Sequence, residues 1–162
     1  MTQQEKIYFM HEALRQAKIA YAKGEVPIGA VIVKDGKIIG RGYNKREGSN
    51  LATAHAEIIA INAACKRQKD WRLTDCEMFV TVEPCIMCAG AILNSRIKKV
   101  YFGAEEIKDG AVVNAFNILK KGSLNWTCLH EGGLLADECA SLMVEFFKRR
   151  RKKTSKMDET SL

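Results

Sequence analysis

The chain is organised around Thr53-Ala54-His55-Ala56-Glu57 and, further on, Glu83-Pro84-Cys85-Ile86-Met87-Cys88. One imidazole and two thiols supply three corners of a tetrahedral zinc site, and a catalytic zinc leaves its fourth corner to water. Glu57, two residues beyond His55, is then the group that moves that water's protons. Residues two apart on a regular helix point about 200° away from one another, so His55 and Glu57 can face one metal only where a helix is starting. Cys85 and Cys88 lie on one helix face, and Pro84, with its fixed φ and missing N–H, suits a first helical turn. Two helix N-termini aimed at one point favour two thiolates through their dipoles and free N–H groups.

Working outward, each of these helices should follow a strand. Ile28 to Lys34 and Lys37 to Gly42 are strand-like runs around Asp35-Gly36, a two-residue hairpin signal. The 26 residues between Glu57 and Pro84 leave room for a helix to about Arg67, a loop around Asp70 to Asp75, and a buried strand from Met78 to Val82. Lys99 to Gly103 and Thr127 to His130 read as further strands, Ala111 to Lys120 as a short helix, and Leu134 to about Lys152 as the final helix. At the start, Thr2-Gln3-Gln4-Glu5 has capping-box spacing, and Ile7, Met10, Leu14, Ala17 and Tyr21 follow at helical intervals until Gly24. The fold class expected is α/β, a three-layer α/β/α sandwich around a mixed five-stranded sheet. Residues 1–152 should form one domain, with 153–162 a polar, disordered tail.

At 162 residues the chain can bury a real core, and its longest apolar runs fall far short of the ~20 residues that span a bilayer. With no signal-peptide pattern at the N-terminus, a cytoplasmic protein without membrane contact is expected. Two of the six cysteines belong to the zinc motif; Cys65, Cys76, Cys128 and Cys139 read as buried thiols. The +7 charge is concentrated at the end: from Lys148 onward seven Lys or Arg face only Asp158 and Glu159, a net +5. Such a tail points to an acidic partner or to a solvated helix end.

The order and spacing of several blocks resemble the bacterial tRNA adenosine deaminases of the zinc-dependent cytidine/deoxycytidylate deaminase superfamily. The blocks are Glu25-Val26-Pro27-Ile28-Gly29-Ala30, Gly42-Tyr43-Asn44, the His55 and Cys85 motifs, and Ala136-Asp137-Glu138-Cys139. The H-x-E and P-C-x-x-C pair is the general signature of zinc deaminases, and the flanking blocks narrow the resemblance to the tRNA branch.

That resemblance implies a cytidine deaminase-like fold, a zinc cofactor and a homodimer. It implies hydrolytic conversion of adenosine to inosine at the wobble position of a tRNA anticodon, with the anticodon loop as partner. His55, Cys85 and Cys88 match the ligands, and Glu57 matches the proton shuttle. Asn44, a turn residue when taken alone, matches an asparagine that hydrogen-bonds the target base, and Val26 and Pro27, by default a turn, match positions that shape the base pocket. Independently of the resemblance, the backbone N–H groups at the helix starts near Ala56 and Cys85 are candidate donors to the base. Phe146 and Phe147 match an aromatic pair used against the RNA loop. Two departures bear on the flanking nucleotides: Glu106 stands where the family usually has Asp, and Asn125-Trp126-Thr127 where it often has Asn-His-Arg.

Three other readings fit parts of the pattern. A closed structural zinc site would need a fourth ligand such as Cys65, Cys76 or His130, and would leave Glu57 idle. A deaminase of free guanine or cytosine would share the zinc chemistry and need neither the basic tail nor the aromatic pair. A non-catalytic RNA-binding zinc module would explain the charge alone.

Overall fold

A computed structural model of the chain describes residues 1–120 and 125–161. The elements are α1 (Gln3–Ala22), β1 (Gly29–Lys34), β2 (Lys37–Tyr43), α2 (Arg46–Ser49), α3 (Ala56–Gln68), β3 (Cys76–Val82), α4 (Ile86–Asn94), β4 (Lys99–Ala104), β5 (Leu129–Glu131) and α5 (Ala136–Thr160). The strands form one five-stranded sheet in the order β2-β1-β3-β4-β5. It is mixed: β1 runs antiparallel to both β2 and β3, whereas β3, β4 and β5 are parallel.

Alternation along the strands gives the sheet two buried faces, each covered by helices. Ala30, Ile32, Met78, Val80, Val100 and Phe102 point to the layer that holds α3 and α4. Val31, Val33, Phe79 and Tyr101 point the other way, to Phe9, Met10, Ala13 and Leu14 of α1 and Cys139 of α5. On that side Phe79 stacks on Tyr101 with ring centroids 4.6 Å apart. Truncating so well packed an aromatic to Ala costs about 3–5 kcal/mol.

Two features position the site. Gly40 and Gly42 on β2 allow α3 to lie against the sheet, since a Cβ on Gly42 would stand 2.2 Å from the carbonyl oxygen of Ala56 and one on Gly40 2.4 Å from that of Ala60. The start of α3 is thereby held at the end of β2. The β1–β2 hairpin turns on Asp35 and Gly36, at φ 49° and 72°, the double left-handed conformation that the Asp-Gly pair favours. The Thr2 capping box on α1 is also present, with Glu5 N–H donating to Thr2 Oγ1 and Thr2 N–H to Glu5 Oε2.

Three expectations are revised. Residues 111–120 form successive turns rather than a helix. The loop before His55 contains a short helix, α2. The last helix does not end near Lys152 but continues to Thr160, so residues 153–160 are helical where a disordered tail was expected; residue 162 lies outside the described residues. Lys and Arg are good helix formers, and local bonds such as Thr154 Oγ1 to Arg150 O support the extension. No helix among the described residues is long and apolar enough to cross a membrane.

Candidate active site

Both metal motifs sit at helix starts. His55 is the N-cap of α3, with extended backbone at φ −78° and ψ 153°, and Cys85 is the N-cap of α4 at φ −73° and ψ 175°. The extended cap turns His55 out of the helical spiral and lets its ring and the Glu57 side chain share one side, as the spacing requires. Pro84 stands just before the cap rather than inside the first turn.

The three donors converge. His55 Nδ1 lies 3.6 Å from Cys85 Sγ and 3.5 Å from Cys88 Sγ, and all three ligand atoms lie within 4.8 Å of one another. The thiols are not paired as a disulfide. Their electrostatics are those of one proton held between two sulfurs. Cys85 is lowered to about 4, first by the hydrogen bond from the Cys88 side chain and then, against burial, by His55 and the Cys88 backbone N–H. Cys88 is pushed far up by that same hydrogen bond and by burial, and His55 is raised mainly by its bond to Cys85. A divalent cation would take the place of that proton, and a borderline-soft N, S, S donor set at two helix N-termini fits zinc.

Glu57 is buried beside the triad, 4% exposed. Burial pushes its carboxyl up, and the neighbouring Cys85 adds to this, so it holds a proton more readily than an ordinary glutamate. A closed four-ligand structural site finds no support among the described residues. Cys76 is paired with Lys34 near the start of β3, Cys65 bonds the carbonyl of Trp71, and His130 sits on β5 opposite Val100. Burial raises the remaining thiols, Cys76 to about 11 and Cys128 and Cys139 to about 12, as expected of inert core cysteines, while Cys65 is only half-buried.

Asn44 is buried at the end of β2 and fixed at both ends of its amide: Nδ2 donates to Val26 O at 3.3 Å, and Oδ1 accepts from Arg46 N–H at 3.1 Å. Val26 is half-buried and Pro27 buried, so the three residues form one braced wall. Lys45 N–H donates to Ala54 O, tying that wall to the His55 segment. Ala56, the first residue of α3, is fully buried.

Glu106 is half-buried and its carboxylate accepts from the N–H of Lys108, so it closes a local turn. Trp126 points inward, with its indole N–H donating to Ile97 O at 2.9 Å and its ring packed on the core. Phe146 is buried against Tyr21 of α1 with ring centroids 5.8 Å apart, and Phe147 faces outward. Beside them a groove of about 230 Å³ is lined by Tyr21, Gly24, Phe146, Arg149, Arg150 and Lys153.

Sequence reading assigned no role to two buried carboxylates. Glu25 accepts from the N–H groups of Glu47 and Gly48 and braces α2, and Glu83 accepts from several N–H groups of the loop after β4. For Glu83 the available signal was a carboxylate at a strand end just before the ligand-bearing turn, whereas Glu25 carried none.

With this geometry in hand, the chain can be set against known proteins. Residues 3–104 match the cytidine and deoxycytidylate deaminase zinc-binding region. A Streptococcus pyogenes serotype M1 protein named tRNA-specific adenosine deaminase is 51% identical over 155 residues, which cover 94% of this chain and 91% of that one. The chain belongs to the deaminase family, in its tRNA-specific adenosine deaminase branch. A solved structure from work on A-to-I editing by tRNA:A34 deaminases at the wobble position of transfer RNA superposes on this deaminase with a TM-score of 0.81. That match has 40% identity and covers 83% of this chain and 98% of the other. A Bacillus subtilis guanine deaminase is 45% identical over 60% of this chain and 63% of its own, with a TM-score of 0.58. The family's chemistry thus comes with more than one substrate, and the tRNA-type similarity spans more of this deaminase.

Proposed function

We propose that this deaminase converts adenosine to inosine at the wobble position of a tRNA anticodon, with zinc held by His55, Cys85 and Cys88. The observation that carries the reading is the convergence of those three donors beside the buried carboxyl of Glu57. It occurs in a chain whose 51% identity to a tRNA-specific adenosine deaminase runs along 94% of its length.

When bound, zinc acidifies a water, making it a nucleophile near neutral pH. Glu57 takes a proton from the attacking water and delivers it to ring N1 as the new C–O bond forms at C6. It then moves the second proton to the departing amine, so that the C6–N bond breaks and ammonia leaves. Its raised affinity for a proton suits a group that must both accept and release one. Asn44, fixed between Val26 O and Arg46 N–H, keeps one amide hydrogen free to hold the base. Val26 and Pro27 form the wall that orients it, and the N–H groups near Ala56 and Cys85 are donors for the developing charge. Glu106 shapes the loop beside the flanking nucleotides. Phe147 offers a stacking face, and Phe146 seats the helix that carries it.

The protein works as a homodimer in this reading. Exposed apolar residues, among them Leu51, Ile107 and Ile86 next to Cys85, favour an apolar contact, which light scattering at micromolar concentration would detect. The catalytic reading is tested by incubating zinc-loaded protein with an anticodon stem-loop carrying adenosine at the wobble position and sequencing the product. Inosine at that position alone is expected. Unchanged RNA with full zinc occupancy would overturn the reading.

A further inference from the structure

Glu83 follows β3 directly and is 3% exposed, yet the reaction uses it nowhere. Its two oxygens collect N–H groups from both ends of the loop over 105–114. Oε1 accepts from Glu106 N–H at 3.2 Å and from the Asn114 side-chain amide, and Oε2 accepts from Val112, Val113 and Asn114 N–H at 3.0, 2.9 and 3.2 Å. Burial pushes this carboxyl up, but the donors outweigh burial and keep it ionised.

The loop so gathered lies against the metal-ligand segment. Ala111 N–H donates to Pro84 O at 2.8 Å, and Gly110 bridges to Cys85 itself. The fit leaves no spare room: a Cβ on Gly110 would stand 2.4 Å from Glu83 Oε2 and 2.3 Å from Glu106 O. The loop whose Gly110 bridges to Cys85 turns Ile107 and Val113 outward, 77% and 44% exposed. Four main-chain N–H groups thus converge on one ionised carboxylate, and charge-assisted bonds of this kind are the strong ones, so losing the carboxylate frees both ends of the loop together.

We propose that Glu83 is a positioning residue: it clamps the two ends of the 105–114 loop onto the ligand segment and so holds the loop's outer face in the arrangement that receives the RNA. The proposal rests on the tRNA reading for its substrate, whereas the clamp itself does not. Glu83→Gln keeps the shape but replaces one acceptor with an NH₂ group facing backbone donors. Gly110→Ala wedges the same contact open while leaving Glu83 intact.

The test combines three measurements on zinc-loaded, full-length wild type, Glu83→Gln, Glu83→Asp and Gly110→Ala: zinc content, amide exchange by mass spectrometry, and initial rates against stem-loop concentration. Expected are full zinc and faster exchange confined to 105–114 in both Glu83→Gln and Gly110→Ala. If the loop keeps its receptive form about a tenth of the time, KM rises about tenfold with kcat within about twofold. Glu83→Asp, which keeps the charge, should recover part of the loss. Unchanged loop exchange or an unchanged KM overturns the proposal. So does zinc loss or faster exchange across the sheet in Glu83→Gln with Gly110→Ala behaving as wild type, which would make Glu83 a general fold residue. Should the wild type form no inosine, the tRNA reading fails on its own, and loop exchange together with stem-loop affinity decides the clamp.

Discussion

His55 Nδ1 lies 3.5 Å from Cys88 Sγ, although the two residues are 33 positions apart and sit at the starts of different helices. Cys88 carries a cost there as a thiolate, since it is fully buried and its thiol is pushed far up by the hydrogen bond with Cys85 and by burial. A shared cation offsets that cost. Cys85→Ala and Cys88→Ala should therefore lose zinc and lower the melting temperature, because thiolate ligation contributes folding free energy. Metal analysis with thermal denaturation checks this, and full zinc in both variants would refute the ligand set.

Glu57 should separate chemistry from ligation. Glu57→Gln is expected to keep zinc and fold while turnover falls at least ~10²-fold to ~10⁴-fold, the usual contribution of a positioned acid–base group. Single-turnover rates beside metal content give the answer; near-normal turnover would remove the proton-shuttle role.

Asn44→Ala deletes the bonds to Val26 O and Arg46 N–H together with the free amide hydrogen. Deamination should fall far more than stem-loop affinity, because one bond to a flipped base is a small share of RNA binding but sets how C6 faces the nucleophile. Parallel binding and rate measurements compare the two, and equal losses would argue against a pocket role.

Much of this architecture was legible because geometry left little choice. The metal motif forces helix starts at His55 and Cys85, and Asp35-Gly36 forces the hairpin, since both residues need positive φ. The turns over 111–120 were not legible. Val112, Val113 and Asn114 donate to a carboxylate about 30 residues upstream, and Phe116 and Ile118 donate to Gly110 O and Ala111 O, too far back for a helix. Local periodicity carries no trace of such a partner. For Asn44 the sequence offers only a turn residue and its match to the family's asparagine, and only the fold reveals that its amide is braced on both sides. The polar end of α5 was misjudged for the opposite reason, since a composition that suits disorder also suits an exposed helix.

The helical tail sharpens what salt should reveal. Arg149, Arg150 and Lys153 share the groove with Phe146, so neutralising these three should remove about three phosphate contacts. At about 0.7 counterion each on a single strand, the slope of log affinity against log salt should flatten by about 2. Circular dichroism would verify the helix, and an unchanged slope would make the tail a solvated end.

Acid should weaken the fold partly through Glu131, which accepts from Lys99 Nζ at 3.0 Å and from Lys6 Nζ at 3.2 Å. Lys99 and then Lys6 hold its carboxyl below the ordinary value despite partial burial. Its contribution is therefore complete above the unfolded value of about 4.3 and is lost as pH falls through the lower folded value. Denaturant titrations of wild type and Glu131→Gln should differ at pH 7, converge as pH falls through the lowered folded value, and differ less in high salt. A gap that persists at low pH would assign the effect to packing.

The most direct measurement sets substrates side by side: zinc-loaded protein with an anticodon stem-loop bearing wobble adenosine, and in separate reactions with free guanine, cytosine and adenosine, following ammonia release and nucleoside composition. The expected result is inosine in the stem-loop with kcat/KM far above that for any free base or nucleoside. Ammonia from free guanine with the RNA left intact would contradict it.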